Sequence, residues 1–151
     1  MGLVISRESV EQVRHEMSSL MAAHWHEVGQ DTARMRLSPD WGAAVALESV
    51  DQLAIFTARA DGELVGYAFF IVRRHFHYAI TVAINDLLYL APGHRAGMAG
   101  ARLIREAEKA LAADGVQNIY FGVKPQHDYS PLLDRRGYRV METTWSKWVD
   151  D

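Results

Sequence analysis

The chain has 151 residues and a mass of 17.0 kDa, so one domain over residues 1–151 is expected, with enough chain to bury a core. Hydrophobic residues make up 49% and charged residues 23%, which argues against disorder; a net charge of −3 argues against a nucleic-acid partner held by bulk charge. Cysteine is absent, which excludes disulfides, thiolate metal sites and cysteine nucleophiles. The charge is unevenly divided. Residues 1–90 carry seven Lys and Arg against eleven Asp and Glu, whereas residues 91–149 carry nine against six. A localised anion site is therefore sought in the second half. The first residues lack a basic stretch leading into a long apolar one, and no apolar run reaches membrane-spanning length. A cytoplasmic protein with no membrane partner is expected.

In chain order, residues 2–5 read as a short strand. Val10, Val13, Met17, Leu20, Met21, His24 and Val28 recur at three- and four-residue steps, one stripe of an amphipathic helix. Ser9 and Gln12 offer a capping box before it, and Gly29 stops it. Ser38-Pro39-Asp40 opens a second helix, with Ser38 as cap and Pro39 at the first helical position, running to about Ser49. Strands over 53–60 and 63–73 join across Asp61-Gly62, a strong hairpin signal. A polar, aromatic loop over 74–78 leads to a third long strand over 80–90. A helix from about Arg95 to Ala113 turns Leu103, Ala107, Ala110 and Leu111 inward, and Asp114-Gly115 ends it. Residues 116–123 form a strand, Ser130-Pro131 starts a short helix ended by Gly137, and 138–149 form the last strand. The order β-α-α-β-β-β-α-β-α-β predicts an α/β (α+β) fold with a mixed, mostly antiparallel sheet and helices on both faces.

The chemistry concentrates where the 80–90 strand runs through Gly93, Gly97 and Gly100 into the following helix. Glycines admit a ligand close to the backbone, and the free amides and dipole of a first helical turn favour an anion. Arg95 and Arg102 add forked donors suited to phosphate. No Gly-Lys-Ser/Thr follows, so a Walker loop is excluded, and the preceding antiparallel run does not fit a Rossmann unit. His75 and His77 share one side of an extended stretch, but no convergent carboxylates accompany them, so no metal is assigned.

Arg95-Ala-Gly-Met-Ala-Gly100 resembles the acyl-CoA-binding motif of the GNAT N-acetyltransferases, Arg/Gln-x-x-Gly-x-Gly/Ala, with Met98 in place of the first motif glycine and Gly97 one place earlier. Asp134-Arg-Arg-Gly-Tyr138 resembles the family's C-terminal Glu-Lys-Leu-Gly-Phe signature. Element order and length match throughout, and the looser likeness is to small phage- or prophage-type members. The resemblance implies acetyl-CoA between the 80–90 and 116–123 strands. Pantetheine would meet the backbone of Leu88, Tyr89 and Leu90. The pyrophosphate would rest on Arg95, Ala96, Gly97, Met98, Ala99 and Gly100, continuing to Ala101 and Arg102. Arg102, Arg135 and Arg136 are candidates for the 3′-phosphate.

The implied reaction is direct attack of a primary amine, on a small molecule or a protein, in a ternary complex. Such an amine must lose a proton. Asp86 is the first candidate base, sharing a face with Ile84 and Leu88 by the period-two rule; Glu27 is the alternative, with His24 one turn earlier. His24, His77 and Tyr78 are candidate acceptor-side residues; the Gln126-His127-Asp128 loop reads first as an exposed turn, with an acceptor-side loop as the alternative. The family's acid tyrosine aligns with Leu133, a departure, and Tyr129 lies one turn upstream. Met98 and Leu133 favour the alternative reading, a CoA-binding or interaction protein without transferase activity. Trp145 and Trp148 read as packing or homodimer-edge residues.

Overall fold

The computed structural model describes residues 2–150. Its elements run β1 (Val4–Arg7), α1 (Val10–Val28), α2 (Trp41–Ser49), β2 (Leu53–Ala60), β3 (Glu63–Arg74), β4 (Thr81–Leu90), a 3₁₀ turn (Pro92–His94), α3 (Ala99–Ala113), β5 (Asn118–Tyr120) and α4 (Ser130–Arg135). The strands form one sheet in the order β1-β2-β3-β4-β5. The first three pairings are antiparallel; β4 and β5 are parallel, joined through α3. This is the expected mixed, mostly antiparallel architecture.

Alternation along β2 and β3 builds a core on each face. Ile55, Tyr67 and Phe69 pack under Val10, Val13, Met17 and Met21 of α1. Ala54, Phe56, Ala68 and Phe70 pack under Leu103, Ala107 and Leu111 of α3. The α1 capping box is present as expected: Ser9 accepts from the Gln12 amide, and the Gln12 side chain accepts from the Ser9 amide. α1 ends at Gly29, which is extended at ψ 136°, and a Cβ there would lie 2.5 Å from the Trp25 carbonyl oxygen, so glycine is the residue that fits.

Four local expectations are corrected. Asp40, not Ser38, caps α2, accepting from the Ala43 amide at 2.9 Å, so Pro39 lies outside the helix. The third helix begins at Ala99 rather than Arg95, because Gly97 takes a φ of +69°, a left-handed conformation that a helix excludes. The 116–123 strand pairs only over Asn118–Tyr120. Residues 138–149 form no strand: among the described residues no ladder pairs them, and Val140, Trp145 and Val149 are exposed. No helix is long and apolar enough to cross a membrane among the described residues.

Candidate functional site

The parallel pairing of β4 and β5 covers Val82, Ala83 and Ile84 against Asn118, Ile119 and Tyr120, and then stops. Beyond it β4 continues to Leu90, whereas the β5 ladder ends at Tyr120. A cavity of about 700 Å³ fills the gap. Its floor is Asn85–Leu90, its walls are the end of α1 and residues 122–132, and Gly100, Leu103 and Ile104 of α3 close one end.

A β-bulge sits at the head of this opening. Phe69 pairs with Leu87 and Phe70 with Asn85, leaving Asp86 as the extra, unpaired residue. The Asn85 amide spans the bulge, donating to the Phe69 carbonyl at 3.1 Å and to the Leu87 carbonyl at 2.9 Å. The extra residue breaks the strand's parity. Ile84 lies opposite Ile71 on the α1 side, whereas Leu88 lies opposite Ala68 and packs on the α3 side. Asp86 therefore cannot share one face with both, as strict alternation had it. It is exposed and lines the cavity.

The last turn of α1 is bound to both rims. Arg95 reaches from beyond β4 to Glu27, its two terminal nitrogens donating to the carboxylate oxygens at 2.6 and 2.7 Å, while its Nε donates to the Leu90 carbonyl at 2.6 Å. From the other rim, Lys124 donates to the Val28 carbonyl at 2.9 Å, and the His127 Nε2–H donates to the Glu27 carbonyl at 2.9 Å. The Lys124 cation thus meets the negative end of the helix. The Arg95 hydrogen bonds hold the Glu27 carboxyl below its usual range, against a smaller upward push from burial. In this arrangement Glu27 is a committed anion, bound to the arginine expected to serve the pyrophosphate.

His24 lies deeper in the same wall. Its Nδ1 is 2.8 Å from the Tyr67 hydroxyl and its ring stacks on Tyr89 with centroids 4.7 Å apart. Burial, then the Lys124 cation, push its pKa down to about 4, so the imidazole is neutral. Tyr129 caps α4 and donates to the Gly122 carbonyl at 3.0 Å; burial pushes its phenol up to about 12. Leu133 is 7% exposed, a core residue with no proton to give.

Of the expected site residues, the cavity gathers His24, Glu27, Asp86, Leu88, Tyr89, Leu90, Arg95, Gly100 and Tyr129. Ala96, Met98, Ala99 and Arg102 line a shallower neighbouring recess of about 340 Å³, where Arg102 donates to the Leu3 carbonyl at 3.1 Å. Gly97 and Ala101 line neither. His77 and Tyr78 lie in the β3–β4 connection, at the end of β4 opposite the cavity, and do not line it. Arg136 is paired with Glu108. No side chain caps the amides at the start of α3. Among the described residues, no group of three or more His, Asp or Glu is arranged to hold a metal ion.

Tyr67, Asn85 and Lys124 were missed from sequence. Tyr67 carried one faint signal, a hydroxyl inside the otherwise apolar 64–72 run; Asn85 and Lys124 carried none beyond polarity.

A mixed sheet cleft between two parallel strands, bulged at its head and opening onto an uncapped helix start, defines an acetyltransferase-type fold. The model of the acetyltransferase (GNAT) family matches residues 12–138, and the chain belongs to that family. Among solved structures, the chain is similar to the aminoglycoside acetyltransferase HMB0005 from an uncultured soil metagenomic sample, at 20% identity, TM-score 0.78 and 99% coverage of both chains. It is also similar to aminoglycoside acetyltransferase meta-AAC0020, from an uncultured soil metagenomic sample, in complex with sisomicin. That match has 16% identity and TM-score 0.72, covering 97% of this chain and 93% of the other. Glucosamine-6-phosphate N-acetyltransferase from Arabidopsis thaliana matches at 10% identity and TM-score 0.74, over 99% and 100%. No curated protein sequence matches significantly. The phage-type likeness finds no support among these.

Proposed function

We propose that the protein transfers an acetyl group from acetyl-CoA to a primary amine of a small molecule or protein, by direct attack in a ternary complex. The observation that carries this reading is the bulged, splayed β4–β5 cleft leading to the uncapped first turn of α3. The donor set fits an acylated, phosphorylated carrier. The unpaired backbone beyond the bulge can hold an extended amide chain, and the free amides at Ala99–Ala101 suit a pyrophosphate. The amine-bearing compounds named for the aminoglycoside and glucosamine-phosphate enzymes support an amine acceptor.

In the proposed reaction the acceptor ammonium first gives a proton to Asp86, directly or through one water. The amine nitrogen then forms a bond to the thioester carbonyl carbon, and the carbon–sulfur bond breaks. The departing thiolate takes a proton from the Tyr129 phenol, which is neutral at pH 7 and lines the cavity; the second N–H proton, lost as the amide forms, passes through water to the resulting phenolate, and Asp86 gives its proton to solvent. Asp86 is preferred to Glu27 because Arg95 occupies both Glu27 oxygens.

Asp86→Asn tests this. Calorimetric titration should show acetyl-CoA binding within about threefold of wild type, while thiol release with a primary-amine panel falls by about 10²-fold or more. Wild-type turnover in the variant would remove Asp86 as base. The second reading, donor binding without transfer, rests on the buried Leu133. It is favoured if wild-type protein binds acetyl-CoA and acetylates no amine in the panel.

A further inference from the structure

We propose that the acceptor is a primary amine that also carries an anionic group, a carboxylate or a phosphate, and that Lys124 selects it by meeting that group on the α1 wall while the amine lies toward Asp86. This names the acceptor class for the transfer proposed above and rests on that reading.

At neutral pH an amine enters a site as an ammonium, and an ammonium taken out of water needs an anionic partner. Among the described residues, three carboxylates line the cavity: Glu27, Asp86 and Asp128. Glu27 is not available, because Arg95 holds both its oxygens, at 2.6 and 2.7 Å. Asp128 stands at the exposed rim, its Oδ1 accepting from the Ser130 amide at 2.8 Å. Of the three, Asp86 alone has no hydrogen-bond or ion-pair partner among the described residues. The cavity is thus built for one ammonium, and a second would find no free counter-ion.

The α1 wall carries the opposite charge. Lys124 is half-buried, and its ammonium donates to the Val28 carbonyl at 2.9 Å. No carboxylate pairs with it among the described residues. An ammonium has three donors, and a helix C-terminus offsets roughly half a charge. Unused N–H groups and about half a positive charge therefore remain beside the cavity.

His24 reports what a cation meets on this wall. Its protonation is opposed first by burial and then by Lys124, whose repulsion outweighs the attraction of Glu27; Arg95 and His127 add to the repulsion. A ligand ammonium placed beside this ring would meet the same field, whereas the field favours an anion. The site thereby sorts the two charges of its acceptor, the anion to Lys124 and the amine to Asp86. Diamines and polyamines bring a second ammonium to Lys124 and are poor acceptors.

Pentylamine, cadaverine, 5-aminopentanoate and 3-aminopropyl phosphate, similar in length and different in charge, test this. Each is titrated calorimetrically into the full chain with excess desulfo-CoA, which has no thioester to react, and thiol release from acetyl-CoA is followed in parallel. At least one anionic amine should bind about tenfold or more tightly than pentylamine, and cadaverine no more tightly than pentylamine. Whichever anionic amine leads identifies the group as carboxylate or phosphate. Lys124→Met should bring that amine within about twofold of pentylamine, Lys124→Arg should keep the gap, and Lys124→Glu should place cadaverine first. Each comparison is a ratio within one protein, so a general loss of stability does not imitate the result. The proposal is overturned if cadaverine binds best to wild type, if neither anionic amine exceeds pentylamine (undetectable binding of all four included), or if the gap survives Lys124→Met. Thiol release judges the transfer reading separately. Binding in the expected order without thiol release removes transfer and keeps the selectivity; release led by cadaverine keeps transfer and removes the selectivity.

Discussion

Two tyrosine rings and an apolar wall hold the His24 imidazole neutral, with a pKa near 4 set first by burial and then by Lys124. An unfolded histidine titrates near pH 6.5, so between about 6.5 and 4 the unfolded chain binds a proton that the folded chain refuses. Stability from this group therefore rises with pH through that window, and below it the loss is complete. Allowing for solvent at a partly exposed ring, the effect is on the order of 1–2 kcal/mol. His24→Phe keeps the contact with Tyr89 and removes the titration. Urea unfolding at pH 6.5 and 4.5 should then differ by about 1 kcal/mol less in the variant than in wild type, although the variant's baseline is lower because the Tyr67 hydroxyl loses its partner. Equal differences would assign the pH dependence elsewhere. Tyr129→Phe addresses the proposed acid: kcat should fall about 10- to 100-fold, with KM for acetyl-CoA within about threefold. A wild-type kcat would move that proton to solvent. His24 was legible in sequence because it continues the α1 stripe; its partner Tyr67 was hidden because a β-strand tyrosine reads as core until something meets its hydroxyl.

The elements differ in how much of their form is local. The α1 capping box and the Asp61-Gly62 hairpin are set by residues within a turn of one another, and both were readable. The β4 bulge is not local, since it depends on how β4 registers against Phe69 and Phe70. That is why strict alternation misassigned the faces around Asp86. Strand 138–149 failed for the opposite reason: its composition is right, but strand formation needs an edge to pair with. Asn85 offers a direct probe of the bulge, because its amide satisfies two carbonyls that the extra residue displaces. Asn85→Ala should cost about 1–3 kcal/mol in chemical denaturation. It should also weaken acetyl-CoA binding, since the backbone beyond the bulge loses its fixed geometry. A stability loss with unchanged affinity would separate the bulge from the donor site.

At the scale of the whole molecule, the acidic first half and basic second half pair with each other before any ligand is considered. Arg95 from the basic half holds Glu27 from the acidic half, and Arg7 holds Asp114 in the reverse sense. Arg102 is spent on the Leu3 carbonyl, and Arg136 on Glu108. The uneven charge pointed to the correct region of the sequence, yet it overstated the supply of free cations for phosphate. Arg135 is exposed and in no ion pair among the described residues; at the α3 end of the cleft the donors left over are the backbone amides opening α3, whose field is short-ranged and is screened only weakly by salt when water is excluded. Acetyl-CoA affinity should accordingly change by less than about tenfold between 50 and 300 mM NaCl in calorimetric titrations, a modest response for a carrier with several phosphate charges. A steeper fall would mean that guanidinium groups leave their present partners to meet the phosphates. Arg95→Gln distinguishes the two cases. If the amides dominate, the variant keeps most of the affinity and the shallow salt slope; if Arg95 leaves Glu27 on binding, it loses both the affinity and the salt dependence.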